Sequence, residues 1–138
     1  MTGIIVTGHG KIASEFVRTL HWFLGSIDNV TAVDFAMQEA PEIFEDHLDA
    51  ALDYLQDLDR ILILCDLTNG VPCRLCARRS IEDPRLTIIS GVNLGMLLEA
   101  VVSQPDEAEK FADQLIASGR EQIDLFRLLG YPQKTATE

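Results

Sequence analysis

The residue with the clearest chemical potential is His9, which stands between two glycines at the end of the run IIVTGHG, Ile4–Gly10. The apolar start of this run predicts a buried strand, and an amphipathic pattern from Ile12 predicts a helix directly after it. In doubly wound α/β domains, ligands and reactive groups lie at the carboxyl ends of strands. The pattern therefore predicts that His9 is reactive and that its flanking glycines let a partner approach the imidazole. A histidine that only fills a turn is the alternative.

A carboxylate, Asp66, follows the continuous apolar run Ile61–Cys65 in the same way. If the first and third strands are neighbours, Asp66 lies beside His9, fixes its tautomer and leaves the other ring nitrogen free as a nucleophile. This pair is half of a hydrolase triad, but the chain has no G-x-S-x-G elbow, so His9 itself is the expected reacting group. An Asp66 that only caps the following helix is the alternative.

The loop after Asp66 supplies an anion site. The Asn69-Gly70-Val71 backbone opens a helix, and its amide groups are expected to hold an anion. An imidazole nucleophile, an orienting carboxylate and an anion site together predict phosphoryl transfer through phosphohistidine.

A second motif follows at once, the C-x-x-C sequence Cys73-Arg74-Leu75-Cys76. At a helix start, this spacing lowers a thiol pKa in disulfide oxidoreductases, so a thiol redox protein is a rival interpretation. Here the motif follows the third strand and Cys76 falls on the apolar side of its helix, which favours a pair of small core residues. Three cysteines without a disulfide-framework spacing indicate reduced thiols and a cytoplasmic location.

The elements that must position these residues alternate along the chain. We predict four strands and five helices, and hence an α/β fold: a doubly wound, mainly parallel four-stranded sheet with helices on both faces. Asn93 is expected to cap the fourth helix, and Ser118-Gly119 to close the fifth. The strands are assigned to residues 4–9, 30–35, 61–65 and 86–89. The helices are assigned to residues 12–24 and 41–55, to a short stretch through Leu75, Cys76 and Ile81 that ends near Pro84, to the stretch after Asn93 that carries Met96 and Val101, and to residues 108 to about 117.

Composition limits the function classes. The 138 residues are 47% hydrophobic and carry a net charge of −11, which argues against nucleic acid and suits a basic protein partner. No apolar run is long enough for a membrane span, and no signal peptide is recognised. His21 and His47 have no neighbours at metal-ligand spacing, so we expect neither a metal nor a cofactor.

Four blocks carry a family resemblance: IIVTGHG with Ala13 after it, Asp34-Phe35, LCDLTNGVP (64–72), and ISGVNLGMLL (89–98) with SGRE (118–121) downstream. In this order and spacing, the chain resembles a cytosolic enzyme IIA of the mannose/fructose/sorbose family of the bacterial sugar phosphotransferase system (PTS). The resemblance covers residues 1–130 as one domain and leaves 131–138 as an expected flexible tail.

The resemblance implies that His9 is phosphorylated and that Asp66 orients it. It further implies that the carrier protein HPr donates the phosphoryl group. A separate IIB component, associated with the membrane components IIC and IID, would accept it. The family is dimeric through an exchanged C-terminal strand. On that analogy the segment Ile123–Leu128, which the sequence leaves ambiguous between helix and strand, is a possible antiparallel strand.

Three loop positions depart from the family pattern: Val71 replaces a serine or threonine, Asn69 replaces the first loop glycine, and Arg74 replaces an asparagine. We expect the Val71 amide to donate to the phosphoryl group and Arg74 to supply charge, with a solvent-facing Arg74 as the alternative. The phosphate-binding set is then Gly70, Val71 and Arg74. A phosphohistidine regulator, the phosphocarrier subunit of dihydroxyacetone kinases, and a binding module without turnover are the alternative functions.

Overall fold

Four parallel strands form the centre of the molecule in the computed structural model, which describes residues 1–104 and 108–130 (without the side chains of 108 and 109). Their order in the sheet is β2-β1-β3-β4, and every neighbouring pair is parallel. The first and third strands are therefore neighbours, as predicted. The strands are β1 (Gly3–His9), β2 (Val30–Phe35), β3 (Ile61–Cys65) and β4 (Leu86–Ser90).

Helices cover both faces of the sheet, which confirms the predicted fold class. Because side chains alternate across a strand, Ile4 and Val6 pack on one face while Ile5 packs on the other. The first face carries α1 (Ile12–Leu24), α4 (Leu94–Val102) and α5 (Ala108–Glu121); the second carries α2 (Pro41–Tyr54) and α3 (Val71–Ser80).

Strand register decides which residues meet at the carboxyl edge of the sheet. Thr7 pairs with Cys65, and His9 pairs with Phe35. Since Asp66 follows Cys65, the register brings it level with the end of β1. The loops that follow β1 and β3 therefore lie side by side.

The helix ends show one confirmed prediction and one error. The side chain of Asn93 accepts a hydrogen bond from the N–H of Met96 at 2.9 Å, so it caps α4 as expected. Gly119 does not close α5, which runs on to Glu121. Gly119 instead allows α5 to pack closely against Met96, because a Cβ at this position would lie 2.7 Å from the Cε of Met96.

The segment 123–128 forms neither helix nor strand in this single chain. Its apolar side chains, including Leu125 and Phe126, are exposed. The antiparallel strand implied by the resemblance is thus not formed here, and its exchange between subunits stays a prediction. The expected flexible tail, 131–138, lies outside the described residues. Within the part of the chain that is described, no helix combines the length and apolar character needed to cross a bilayer.

Candidate functional site

His9 and Asp66 are in direct contact at the carboxyl edge of the sheet. Oδ2 of Asp66 lies 2.9 Å from Nδ1 of His9 and accepts a further hydrogen bond from the backbone N–H of His9, also at 2.9 Å. The imidazole is 43% exposed, whereas the Asp66 side chain is only 11% exposed. One carboxylate therefore fixes both the backbone and the ring of an accessible histidine.

The hydrogen bonds around Asp66 hold it in the ionised form. Burial acts to raise its pKa, but the N–H and imidazole of His9 and the N–H of Leu67, at 2.8 Å, outweigh burial and leave the pKa below its usual value. An ionised carboxylate can only accept, so Nδ1 of His9 carries the proton that it donates to Asp66. In the neutral imidazole, Nε2 then keeps a free lone pair and is the atom able to act as a nucleophile.

Gly8 and Gly70 make room for this pair. A Cβ at Gly8 would lie 2.8 Å from Cγ of Asp66, so Gly8 makes space for the carboxylate rather than for a partner. Gly10 has open space but a φ of +63°, a conformation that favours glycine. A Cβ at Gly70 would lie 2.7 Å from Cε1 of His9. The imidazole thus rests against the backbone of the loop after β3.

Phe35 is a neighbour of His9 that the sequence analysis missed. The two rings meet edge to face with centroids 6.0 Å apart. The contact follows from the pairing of His9 with Phe35 at the ends of β1 and β2. No local sequence pattern signals this contact, because it depends on the register between two strands. Phe35, Asp66 and Gly70 therefore border His9 on several sides.

The loop that carries Asp66 is a tight turn ahead of α3. Asn69 adopts a φ of +64°, and the N–H of Gly70 donates to the carbonyl of Leu67 at 3.2 Å. Asparagine tolerates this left-handed conformation better than other non-glycine residues, which explains how it can replace a loop glycine. The hydroxyl of Thr68 bonds to that of Ser90, at 2.7 Å, and ties the turn to β4.

The beginning of α3 offers backbone donors close to His9. Gly70 is the residue before the helix, Pro72 lies in its first turn, and no side chain caps it. The N–H of Val71 makes no backbone hydrogen bond within the described chain. A helix start of this kind favours anions because its first amides point outward and its dipole is positive there.

Arg74 lies one helical turn further along α3 and is exposed. It forms no ion pair with the residues described, and it lines a groove together with Pro41, Val71 and Arg78. The structure thus brings His9, Asp66 and Gly70 into contact and places Val71 next to them. Arg74 is not part of these contacts and lies in the groove that Val71 also lines.

The C-x-x-C thiols lack the environment of a redox pair. Burial is the main cause that raises the pKa of Cys73 instead of lowering it, and the electrostatic effect of the neighbouring Cys65 acts in the same direction. Cys76 is fully buried, and its hydrogen bond with Cys65, aided by burial, also raises the pKa of Cys65. Thiols with raised pKa values are poor nucleophiles, so this geometry does not support the redox interpretation.

No group of three or more potential metal ligands occurs among the described residues. His47 is exposed and lies 3.9 Å from Glu39, and His21 is an exposed residue of α1. Neither histidine is among the described contacts of His9.

Comparison with known families matches residues 3–116 to the family described as the PTS system fructose IIA component. The chain is 31% identical over 128 residues to the PTS system mannose-specific EIIAB component of Escherichia coli (strain K12), covering 89% of this chain but only 39% of that relative. It is 29% identical over 101 residues to the PTS system fructose-specific EIIA component of Bacillus subtilis (strain 168), covering 73% of this chain and 69% of that one.

A solved structure shares the fold over nearly the whole chain. The mannose/sorbose specific IIA subunit of the phosphotransferase system from Enterococcus faecalis superposes with a TM-score of 0.84. The match covers 97% of this chain and 98% of that one at 24% sequence identity.

Proposed function

Since the chain belongs to the family of the PTS system fructose IIA component, and is a sugar phosphotransferase component of the mannose type, we propose that it relays phosphoryl groups through His9. In this proposal His9 accepts a phosphoryl group from HPr and passes it to a IIB component, which uses it for sugar uptake. The observation that carries the proposal is the hydrogen bond between Asp66 and Nδ1 of His9, because in the neutral imidazole it puts the proton on Nδ1 and leaves the lone pair on Nε2, in a side chain that is 43% exposed.

The chemistry is an exchange of one bond to phosphorus for another. Nε2 of His9 attacks the phosphorus atom of the donor in line with the bond to the donor group, that bond breaks, and the donor keeps its electron pair. The imidazole becomes positively charged as the new N–P bond forms, and the carboxylate of Asp66 stabilises this charge through Nδ1–H. Transfer to the acceptor is the same step in reverse.

We assign the phosphoryl oxygens to the beginning of α3. Gly70 lies against Cε1 of His9, so the helix start, with the free N–H of Val71, is adjacent to the ring that would carry the phosphoryl group. Val71 has no hydroxyl, so a backbone amide takes the role that a side chain has in the family pattern. Arg74, exposed and without an ion pair among the described residues, supplies positive charge when its long side chain turns toward the phosphoryl group.

The same proposal includes the assembly around the relay. We infer a homodimer, because the segment 123–128 leaves apolar side chains such as Ile123, Leu125 and Phe126 more than 70% exposed. Pairing of this segment with a second copy would cover them. Transfer to IIB takes place in the cytoplasm, beside the membrane components IIC and IID.

The decisive experiment is incubation with phosphoenolpyruvate, enzyme I and HPr, followed by intact mass and peptide mapping. We expect one acid-labile phosphate on His9, because phosphoramidate bonds hydrolyse in acid while phosphate esters do not. Folded protein that gains no phosphate beside an active control IIA protein would contradict the proposal.

A further inference from the structure

Asp34 is a half-buried carboxylate near the end of β2 that has no role in the relay described above. Strand register pairs it with Gly8, the residue before the reactive histidine. Both of its oxygens accept hydrogen bonds from Ser14 of α1. Oδ1 accepts the backbone N–H at 3.0 Å, and Oδ2 accepts the side-chain hydroxyl. Asp34 therefore joins the end of β2 to the first turn of α1.

The first turn of α1 has no capping side chain of its own. Lys11, the residue before the helix, makes no side-chain hydrogen bond to the helix start. Ser14 is the third residue of α1, and its N–H is one of the amides that a capping side chain normally accepts. Asp34 therefore supplies the missing cap from a neighbouring strand, where a carboxylate also suits the positive end of the helix dipole.

The turn between β1 and α1 connects His9 to this capped helix. Gly10 lies in the turn with a φ of +63° and with open space where a Cβ would be, so no side chain of its own holds it in place. The N–H of Gly10 donates to the carbonyl of Phe35 at 2.8 Å, which ties the turn to the end of β2. Four residues later, Ser14 ties the beginning of α1 to Asp34 in the same strand.

Carboxylates thus hold the chain at His9 and again five residues later. Because β1 lies between β2 and β3, Asp66 acts on it from one side and Asp34 from the other. Asp66 binds the N–H and the Nδ1 of His9 and sets the direction of the ring. Asp34 sets where the chain leaves the strand. Since Phe35 belongs to the same strand end as Asp34, this tie also keeps the phenyl ring at the edge of the imidazole.

We propose that Asp34 is a positioning residue for the phosphoryl relay: through Ser14 it holds the turn that fixes His9. The inference rests on the proposed function, because the position of Nε2 matters only if that atom must meet a phosphorus atom in line. Among the described contacts, none joins Asp34 to the imidazole, so its effect passes through the turn and Phe35. A reacting atom displaced by about 1 Å loses on the order of 100-fold in rate, and a loosened turn is expected to cost about tenfold.

The test compares Asp34→Ala with Asp34→Asn in single-turnover charging at a series of HPr concentrations. Alanine removes both acceptor oxygens, whereas asparagine keeps the size of the side chain and an oxygen for the N–H of Ser14. We expect Asp34→Ala to lower the maximal rate about tenfold, and Asp34→Asn to recover it to within about threefold of wild type. The half-saturating HPr concentration should stay within about twofold. An unchanged maximal rate in Asp34→Ala, or a loss confined to half-saturation, would overturn the proposal.

Asn93→Ala is the matched control, because Asn93 caps a different helix, α4, through the N–H of Met96. It should lower the urea midpoint about as much as Asp34→Ala does, yet charge at the wild-type maximal rate. Equal slowing of the two variants would assign the effect of Asp34 to stability alone. If Asp34→Ala does not fold, Ser14→Ala replaces it, since this change removes the hydroxyl bond and keeps the backbone bond. We expect Ser14→Ala to slow maximal charging about threefold and Ser14→Thr to restore it; equal rates in Ser14→Ala and wild type would contradict the proposal.

Nitrogen-15 NMR of the imidazole provides a measurement that needs no phosphate. Wild type and Asn93→Ala are expected to show the His9 proton on Nδ1, and Asp34→Ala a mixture of both tautomers because the ring is less firmly held by Asp66. Identical imidazole signals in all three proteins would contradict a positioning role. If wild type takes no phosphate from HPr while the signals differ as expected, the proposed function fails and the positioning of the ring stands. The two failures are thus distinguishable.

Discussion

A single carboxylate oxygen, Oδ2 of Asp66, accepts hydrogen bonds from both the backbone N–H and the Nδ1 of His9, each at 2.9 Å. The backbone bond fixes where the end of β1 lies, and the side-chain bond fixes how the imidazole is turned. Asp66 is itself fixed by the N–H of Leu67. The orientation of the free Nε2 therefore depends on a short chain of hydrogen bonds that joins two neighbouring strands.

Replacing His9 by alanine should abolish phosphate acceptance, because it removes the exposed imidazole whose Nδ1 lies within hydrogen-bond distance of Asp66. The measurement is intact mass after incubation with phosphoenolpyruvate, enzyme I and HPr. His21→Ala and His47→Ala serve as controls and should be labelled like wild type. Acid-labile labelling of His9→Ala would show that another residue is phosphorylated and would contradict the assignment of His9.

Replacing Asp66 by asparagine should slow phosphoryl transfer about 100-fold without unfolding the domain. The amide keeps the size of the side chain but removes the charge that stabilises the imidazolium and fixes its tautomer. Single-turnover charging by HPr measures the effect, and circular dichroism reports the fold. An unchanged rate would make Asp66 a structural cap of the loop and nothing more.

Asp66 should also make the free energy of unfolding depend on pH in the acid range. Because its pKa is lower in the folded protein than the ordinary value of 3.8, it contributes stability that is fully present above pH 3.8. This contribution is lost as the pH falls through the lower pKa of the folded state. Urea unfolding of wild type and Asp66→Asn should therefore give a difference in unfolding free energy that shrinks below pH 3.8. A difference that does not depend on pH would contradict this linkage.

Replacing Gly70 by alanine should impair transfer while sparing the fold. The φ of −66° suits alanine, but its Cβ would lie 2.7 Å from Cε1 of His9, so the ring must move. Displacing a reacting group by about 1 Å costs on the order of 100-fold in rate. Charging by HPr and the midpoint of urea unfolding, measured together, should show a slow variant of near wild-type stability. Normal charging would show that the ring has room to shift.

Asn69 offers a matched pair that tests the turn. Its φ of +64° is strained for alanine and relaxed for glycine, so Asn69→Ala should lower the free energy of unfolding by about 1 kcal/mol. Asn69→Gly should stay within about 0.5 kcal/mol of wild type. Urea unfolding at neutral pH gives both values. Equal stability of the two variants would show that the turn relaxes to a negative φ.

Much of the architecture was readable from the sequence because its signals are local. The continuous apolar run Ile61–Cys65 predicts a central parallel strand, and Asn93 before an apolar helix predicts a cap; both are present. The prediction that Gly119 ends the fifth helix was wrong, because a glycine can either end a helix or allow a neighbouring side chain to pack closely against it. Only the packing of α5 against Met96 distinguishes the two.

The sequence by itself determined the strand and helix order, and it placed His9 and Asp66 at strand ends, since periodicity and turn residues act over a few positions. The tertiary structure alone decided what surrounds the imidazole. The register of β1 with β2 brings Phe35 to its edge, and the turn after β3 brings the Gly70 backbone against Cε1. These contacts join residues far apart in the chain, and their distances follow from sheet register and turn geometry, which no local pattern encodes.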